Sequence, residues 1–462
     1  MTLLAARPSS GAPARRMTAT RVAPRPMATT RVVAIADADS YVKWAGAMLD
    51  SVDSIDGRML VVRTPLTVSR AQERAALAGT ALGAGEPAAR SVSRVSHDRL
   101  AARLRSLRPD VVLIAGRGPF VQLMEREVDR LEQRPVIVTG MPGISLPAQV
   151  GAVRYRRYSD LLVVHSLRER RAFAELCAHV GTDLRLGLAT LPYARPREHG
   201  TGGTDLVFAA QALIPHTLGE RQQVADLLVA AARALPERRV VLKLRSREGE
   251  NETHLERMPL VELLRERPEN LVVSYEPMSA ALQTAEGLVT VGSTAAIEAL
   301  AMGVPVIALN TFGVRKKLLN TVFRGSGLLG DGDDVIARRF RHPHPAWAAD
   351  NYFHDPAEST WWAQVAELVE LRRRGELPAR PIPSPRGGVL HLAYMRKSVL
   401  GFEDRSLVGG FALAVGTPVA SGMRAVRRFR QRNHTQSWTD ESGDITVTAL
   451  PHQDPLRRAP QR

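Results

Sequence analysis

The sequence predicts an α/β protein with two Rossmann-like, doubly wound domains facing a central cleft. Short apolar runs without alternation recur at 32–36 (VVAIA), 59–62 (MLVV), 111–115 (VVLIA), 136–138 (VIV) and 161–164 (LLVV). Strands of this kind are buried on both faces, as in a parallel sheet covered by helices. Helix-length stretches such as 97–107 and 166–180 separate them. A second series follows, with strands expected at 205–209, 239–244, 271–274, 287–291 and 305–309 and helices at 219–234, 258–266, 277–285 and 294–302.

These elements divide the chain. Residues 1–30 form a basic tail without hydrophobic period, 31–190 a first domain, and 191–204 a Pro- and Gly-rich linker. Residues 205–360 form a second domain, within which 325–360 reads as irregular. A closing helix over 361–378 carries Trp362, Val365, Leu368 and Leu371 at helical spacing, and 379–462 reads as a loop-like basic extension. The tail lacks the apolar core of a signal peptide, so a cytoplasmic location is expected.

The net charge of +16 suggests nucleic acid until it is divided. Residues 1–31 hold six Arg and no acid, 372–462 hold 16 basic against seven acidic residues, and 32–371 balance at 41 against 40. A near-neutral body with basic ends argues against a nucleic-acid-binding core. With one cysteine, Cys177, a disulfide framework and a Cys-based zinc site are excluded. No Walker loop, Gly-x-Ser-x-Gly elbow or Gly-x-Gly-x-x-Gly after the first strand is present, which removes the main support for ATPase, hydrolase and dinucleotide dehydrogenase readings.

Ligands of open parallel sheets bind beyond the carboxyl ends of the strands, and that rule selects candidate residues. In the second domain the 287–291 strand runs into Gly292-Ser293-Thr294 and a helix, with Ser293 or Thr294 as N-cap and a phosphate expected at the helix end. Glu298, one turn on, suits a ribose. Lys243 and Arg245 share a strand face at the end of 239–244, and Arg247 and His254 follow in a polar loop. In the first domain, strand one ends in Asp37-Ala38-Asp39-Ser40, ahead of Lys43 and Trp44. Asp39 or Ser40 is expected to cap the helix, and an aspartate left at the sheet edge stands where a general base belongs. Gly118, Gly143 and His165 occupy other strand ends. Asp37-x-Asp39, the acidic loop Asp331, Asp333 and Asp334, and His342/His344 lack convincing metal spacing, so no metal site is expected.

The run VTVGSTAAIEALAMGVPVIAL (289–309) resembles the nucleotide-binding half of GT-B glycosyltransferases. The stretch VVLKLRSREGENETH (240–254) is similar to the Lys-Leu-His-Pro region of bacterial capsule-polysaccharide and sialic-acid transferases, with Arg245-Ser246 where those have His-Pro. Residues 30–375 as a whole are similar to an uncharacterised family of actinobacterial glycosyltransferases.

The resemblance implies transfer of a sugar from a nucleotide sugar to a glycan or lipid-linked acceptor, in cell-surface polysaccharide or glycolipid synthesis, without a metal or other cofactor. It implies phosphate contacts from Ser293 and Thr294, beside Gly292, and a ribose contact from Glu298. Lys243 and Arg245 stand where those transferases have a Lys and a His. Asp39 or Asp37 is expected as base with His165 in reserve, and Ser40, Lys43, Trp44, Gly118 and Gly143 as acceptor contacts. A nucleotide-sugar epimerase, a polyol-phosphate transferase and a non-catalytic glycan- or lipid-binding scaffold are the competing readings. The 14-residue apolar run 407–420 and the five Arg of 423–432 suggest contact with an anionic membrane surface.

Overall fold

In the computed structural model, which describes residues 29–53, 55–84, 92–196, 202–244, 258–384 and 387–430 (backbone only from 419), the chain builds two parallel sheets. The first comprises β1 (Thr30–Ala36), β2 (Ile55–Val62), β3 (Val92–Val95), β4 (Val111–Ala115), β5 (Val136–Gly140), β6 (Leu161–Val164) and β7 (Arg185–Leu188), in the order β3-β2-β1-β4-β5-β6-β7. The second comprises β8 (Asp205–Ala209), β9 (Val240–Lys243), β10 (Leu271–Ser274), β11 (Ala285–Thr290), β12 (Val306–Leu309) and β13 (Leu329–Gly330), in the order β10-β9-β8-β11-β12-β13. Each order reverses once, between β1 and β4 and between β8 and β11. Those two reversal points are where open α/β sheets leave a crevice for ligand.

The strands form where the sequence is β-branched and apolar on both faces. Val32 to Ala36 and Val111 to Ala115 are all buried and pair in register, Val32 with Val111 through Ala36 with Ala115. The helices start and stop on local signals. Thr217 and Glu220 make a capping box for the Leu218–Ala234 helix. The Ser166 hydroxyl accepts the Glu169 N–H at the start of the Leu167–Val180 helix, which ends on Gly181 at φ +68°.

The helix Trp361–Arg373 returns to the first sheet. Val365, Leu368 and Val369 are buried with Met59, Val136 and Val163. The Arg372 guanidinium donates to the Arg134 carbonyl at 2.9 Å and to Asp110 at 3.2 Å. Burying each such aliphatic side chain contributes roughly 1.5–3 kcal/mol, so this helix is an integral part of the first core.

Three sequence expectations are corrected. The helix expected at 258–266 is reduced to a single 3-10 turn, Leu260–Leu263. The segment 325–360 holds β13 and the short helices Gly332–Ile336 and Pro345–Asp350. In the linker segment Leu191, Tyr193 and Ala194 are buried in a core. Beyond Pro378 the chain is not loop-like: Gly388–Leu400 and Leu407–Arg430 are helices. Val399 and Leu400 join the core under β1, β2 and β4. No described helix is long and apolar enough to cross a membrane.

Candidate active site

At the first reversal point, the end of β1 places Asp37 against the loop after β2 and the Gly116-Arg117-Gly118 turn after β4. Asp37 is 1 % exposed. Its Oδ2 accepts the Thr64 hydroxyl at 3.1 Å, and its Oδ1 has no hydrogen-bond partner among the described residues. Burial pushes the carboxyl up to about 6, against the opposing pull of Arg117 and the Thr64 bond. A carboxylate poised there can exchange protons near neutral pH.

Around it lies a buried polar group. Tyr41 hydrogen-bonds Arg156, and both are buried. The Arg156 guanidinium also donates to the Gly116 carbonyl at 2.9 Å. Behind Arg156, Glu125 accepts the Ser159 hydroxyl at 2.6 Å, and burial raises its pKa to about 8, so it is a neutral acid at pH 7.

Several first-domain expectations change. Neither Asp39 nor Ser40 is the N-cap of the Asp39–Asp50 helix: Ala38 holds that position, Asp39 is the first helical residue and exposed, and Ser40 is half-buried. Trp44, expected at the acceptor, is fully buried and donates its indole N–H to His165 Nε2 at 2.8 Å. His165 in turn donates Nδ1–H to the Ala189 carbonyl at 3.0 Å, and burial lowers its pKa to about 4. With both ring nitrogens engaged and the ring neutral, the reserve base has no lone pair to offer. Lys43 places its ammonium 4.6 Å from the Tyr193 ring centre. Gly118 opens the helix Gly118–Asp129, and a Cβ there would lie 2.4 Å from the Tyr155 ring.

At the second reversal point the Gly292 N–H donates to Gln211 Oε1 at 2.9 Å, which ties the end of β11 to the segment after β8. Gly292 has no room for a side chain, since a Cβ would sit 2.8 Å from the Leu318 carbonyl oxygen. The expected cap is divided. Thr294 occupies the N-cap of Ala295–Ala301 without a side-chain bond to the helix, while the Ser293 hydroxyl accepts the Ala295 N–H at 3.2 Å. Glu298 is buried one turn on. Lys243 ends β9, is buried, and donates to the Leu244 carbonyl. Arg245, Arg247 and His254 lie outside the described residues. Asp331 caps the Gly332–Ile336 helix, and Asp334 pairs with Arg339 and Arg341 at 2.7 and 2.8 Å. Among the described residues no three His, Cys, Asp or Glu are grouped to hold a metal.

The two domains meet beside these points. The Thr294 hydroxyl accepts the Ile144 N–H at 3.2 Å. A Cβ on Gly143 would lie 2.5 Å from the Thr294 Oγ1. Gly143→Ala is therefore expected to cost about 1–3 kcal/mol in chemical denaturation, and adding Thr294→Ala to restore part of it. Wild-type unfolding of the single variant would show that the seam yields freely.

Deeper in the seam, Glu169 is fully buried. It accepts the Ser145 N–H at 2.8 Å, the His165 N–H at 2.8 Å and the Tyr352 hydroxyl at 2.6 Å. Burial raises its pKa, and these bonds oppose the rise. Arg168 donates to the Val322 carbonyl at 3.0 Å, and Arg171 forms a forked pair with Asp350 at 2.7 Å. Of these residues only His165 is singled out by sequence, although Ser166-x-x-Glu169 has capping-box spacing.

Two doubly wound sheets, each with its reversal point, joined by a tight seam at Ile144 and Thr294, define a GT-B-type fold. The chain belongs to the family described as "Putative glycosyltransferase (DUF6716)", which matches residues 32–368. No curated protein matches the sequence. Among solved structures, the chain is similar to the glycosyltransferase SnogD from Streptomyces nogalater, at 17 % identity over 74 % of this chain and 99 % of that one, with a TM-score of 0.42. It is also similar to a UGT transferase from Siraitia grosvenorii in complex with UDP, at 11 % identity over 80 % of this chain and 99 % of the other (TM-score 0.40). The UDP-GlcNAc 2-epimerase from Methanocaldococcus jannaschii matches at 11 % identity over 73 % and 99 % (TM-score 0.47).

Proposed function

We propose that the chain transfers a glycosyl group from a nucleotide-activated donor to an acceptor hydroxyl, with Asp37 as general base. The observation that carries this reading is the buried Asp37 carboxylate at the β1/β4 reversal point, raised to about 6 with one oxygen unpartnered. In this reading the carboxylate takes the acceptor proton. The freed oxygen attacks the anomeric carbon, and the bond from that carbon to the donor phosphate breaks. Asp39, exposed two residues on, is the alternative base.

The donor side of the reading is the second reversal point. Lys243, with Arg245 beyond it in sequence, supplies positive charge to the departing phosphate in place of a resident metal. Ser293, Thr294 and the amide of Gly292 contact the phosphates, and Glu298 takes the ribose. Three of those groups already serve the fold, since the Gly292 amide donates to Gln211, Thr294 accepts from Ile144 and Ser293 accepts from Ala295. Donor binding in this reading therefore works against the closed seam and comes with a shift of the Thr294 turn.

The test is a thermal-shift panel of UDP, GDP, CDP, dTDP and CMP. A ligand that binds only the native state raises its apparent stability, by about 2.7 kcal/mol at a hundredfold excess over its dissociation constant. One nucleotide is expected to raise the midpoint well above the others. No shift with any of the five would overturn the reading.

A further inference from the structure

Seven of the nine exposed large hydrophobic side chains among the described residues fall within 387–415: Val389, Leu390, Phe402, Leu407, Val408, Phe411 and Val415. They belong to the hairpin formed by the Gly388–Leu400 and Leu407–Arg430 helices. On the second helix the buried positions are Gly409 and Ala412. Gly416 lies on the same side, where a Cβ would meet the Tyr394 ring at 2.6 Å. At 100° per residue, Leu407 and Phe411 lie on the opposite side, and Val415 and Val408 carry the exposed apolar arc round to the flank of the packed face. The helix is therefore apolar on both faces, with one face used to pack the hairpin and the other left open.

The segment is also basic. Arg405 is exposed at its start, and in the sequence Arg424, Arg427, Arg428 and Arg430 fall in the last two turns, with no acidic residue anywhere in 407–430. The turn between the helices is fixed. Asp404 accepts from Arg396 at 3.0 Å and from the Ser406 N–H at 3.0 Å, and Gly401 is pressed onto Pro65. Phe402 and Glu403 of that turn line an open cavity of ≈ 560 Å³ together with Thr64, the residue that donates to Asp37. The exposed apolar surface thus begins at the lip of a cavity whose wall includes Thr64, the hydrogen-bond partner of the buried candidate base.

We propose that this hairpin is a docking surface for an anionic phospholipid bilayer, lying in the plane of the interface with Leu407, Val408, Phe411 and Val415 inserted and the segment's net positive charge drawn to the headgroups. Anionic lipid is the occupant that complements the charge, because a second copy of the chain would bring the same cations against one another. Docked in this way, the cavity lip at Phe402 meets the membrane surface. Given the transferase reading, the acceptor is then an amphiphile whose hydroxyl enters from the bilayer. The docking itself does not depend on that reading.

The experiment is co-sedimentation of the full chain with phosphatidylglycerol-containing vesicles and with phosphatidylcholine vesicles, at low and at high salt, for wild type and for Phe411→Glu/Val415→Glu. Circular dichroism and the nucleotide thermal shift run in parallel verify that the variant is folded and that its donor site is unaltered, so failure here is distinct from failure of the transferase reading. Wild type is expected to bind the anionic vesicles, to release in high salt and to ignore the neutral ones. The double variant is expected to bind about tenfold less or weaker still. Wild type that stays off anionic vesicles, a variant that binds like wild type, or a wild-type dimer that the variant dissociates would each overturn the proposal.

Discussion

Replacing Asp37 with Asn is expected to make the protein more stable and its transfer activity at least about 100-fold lower, the range of a positioned general base. The two effects have one cause. Asp37 is buried, and its carboxyl is raised from the ordinary 3.8 to about 6. Between those values the folded chain holds a proton that the unfolded chain has released. The contribution of Asp37 to stability is therefore most favourable below about pH 4, falls as the pH rises through the window, and is lower by roughly 3 kcal/mol once Asp37 is ionised. Asn keeps the shape and the Thr64 contact without the buried charge, so the variant should unfold at higher denaturant than wild type at pH 7.5. The difference should close at pH 4. Equal midpoints at both pH values, or a variant less stable at pH 7.5, would show that the carboxylate is better solvated than its burial implies.

Glu169→Ala should act in the opposite direction. The substitution strips the partner from two backbone N–H groups, Ser145 and His165, and from the Tyr352 hydroxyl, all at the buried seam. Leaving a buried donor unpaired costs about 1–3 kcal/mol each, so a loss of at least ~3 kcal/mol is expected in chemical denaturation. Tyr352→Phe removes one of the three bonds and leaves no donor stranded, and should cost about 1 kcal/mol. If the two variants were equally stable, Glu169 would not be the centre of the network. Arg168 and Arg171, which join the same helix to Val322 and Asp350, would then be the next pair to test.

The central strands were legible because they are apolar on both faces, and the observed strands fall on all ten expected runs. β3 (VSRV), β7 (RLGL) and the two-residue β13 were not, because sheet edges are short and half polar and carry little hydrophobic signal. The Leu407–Arg430 helix was masked by Gly409, Gly410, Gly416 and Pro418, which read as loop punctuation; Gly416 instead sits where a Cβ would meet the Tyr394 ring of the preceding helix, and Pro418 lies inside the helix. At the site, the end of strand one yielded both Asp37 and Asp39 but no means of choosing. The choice comes from burial, supplied by the loop after β2 and the turn after β4. Tyr41, Thr64, Arg117 and Arg156 come from four separate segments that no local spacing joins. The aromatic and histidine at the sheet edge misled for a related reason: Trp44 and His165 satisfy each other, a pairing of residues 121 positions apart.

The central claim is that this chain moves a sugar to an acceptor with Asp37 taking the proton. The most direct measurement is release of nucleotide from a panel of nucleotide sugars, with and without an extract of membrane lipids as acceptor, for wild type, Asp37→Asn and Asp39→Asn across pH 5 to 8. The account predicts acceptor-dependent release by wild type that rises through about pH 6, near-total loss in Asp37→Asn, and substantial retention in Asp39→Asn. Release that ignores the acceptor would point to an epimerase or hydrolase. Asp37→Asn turning over at the wild-type rate would contradict the account outright.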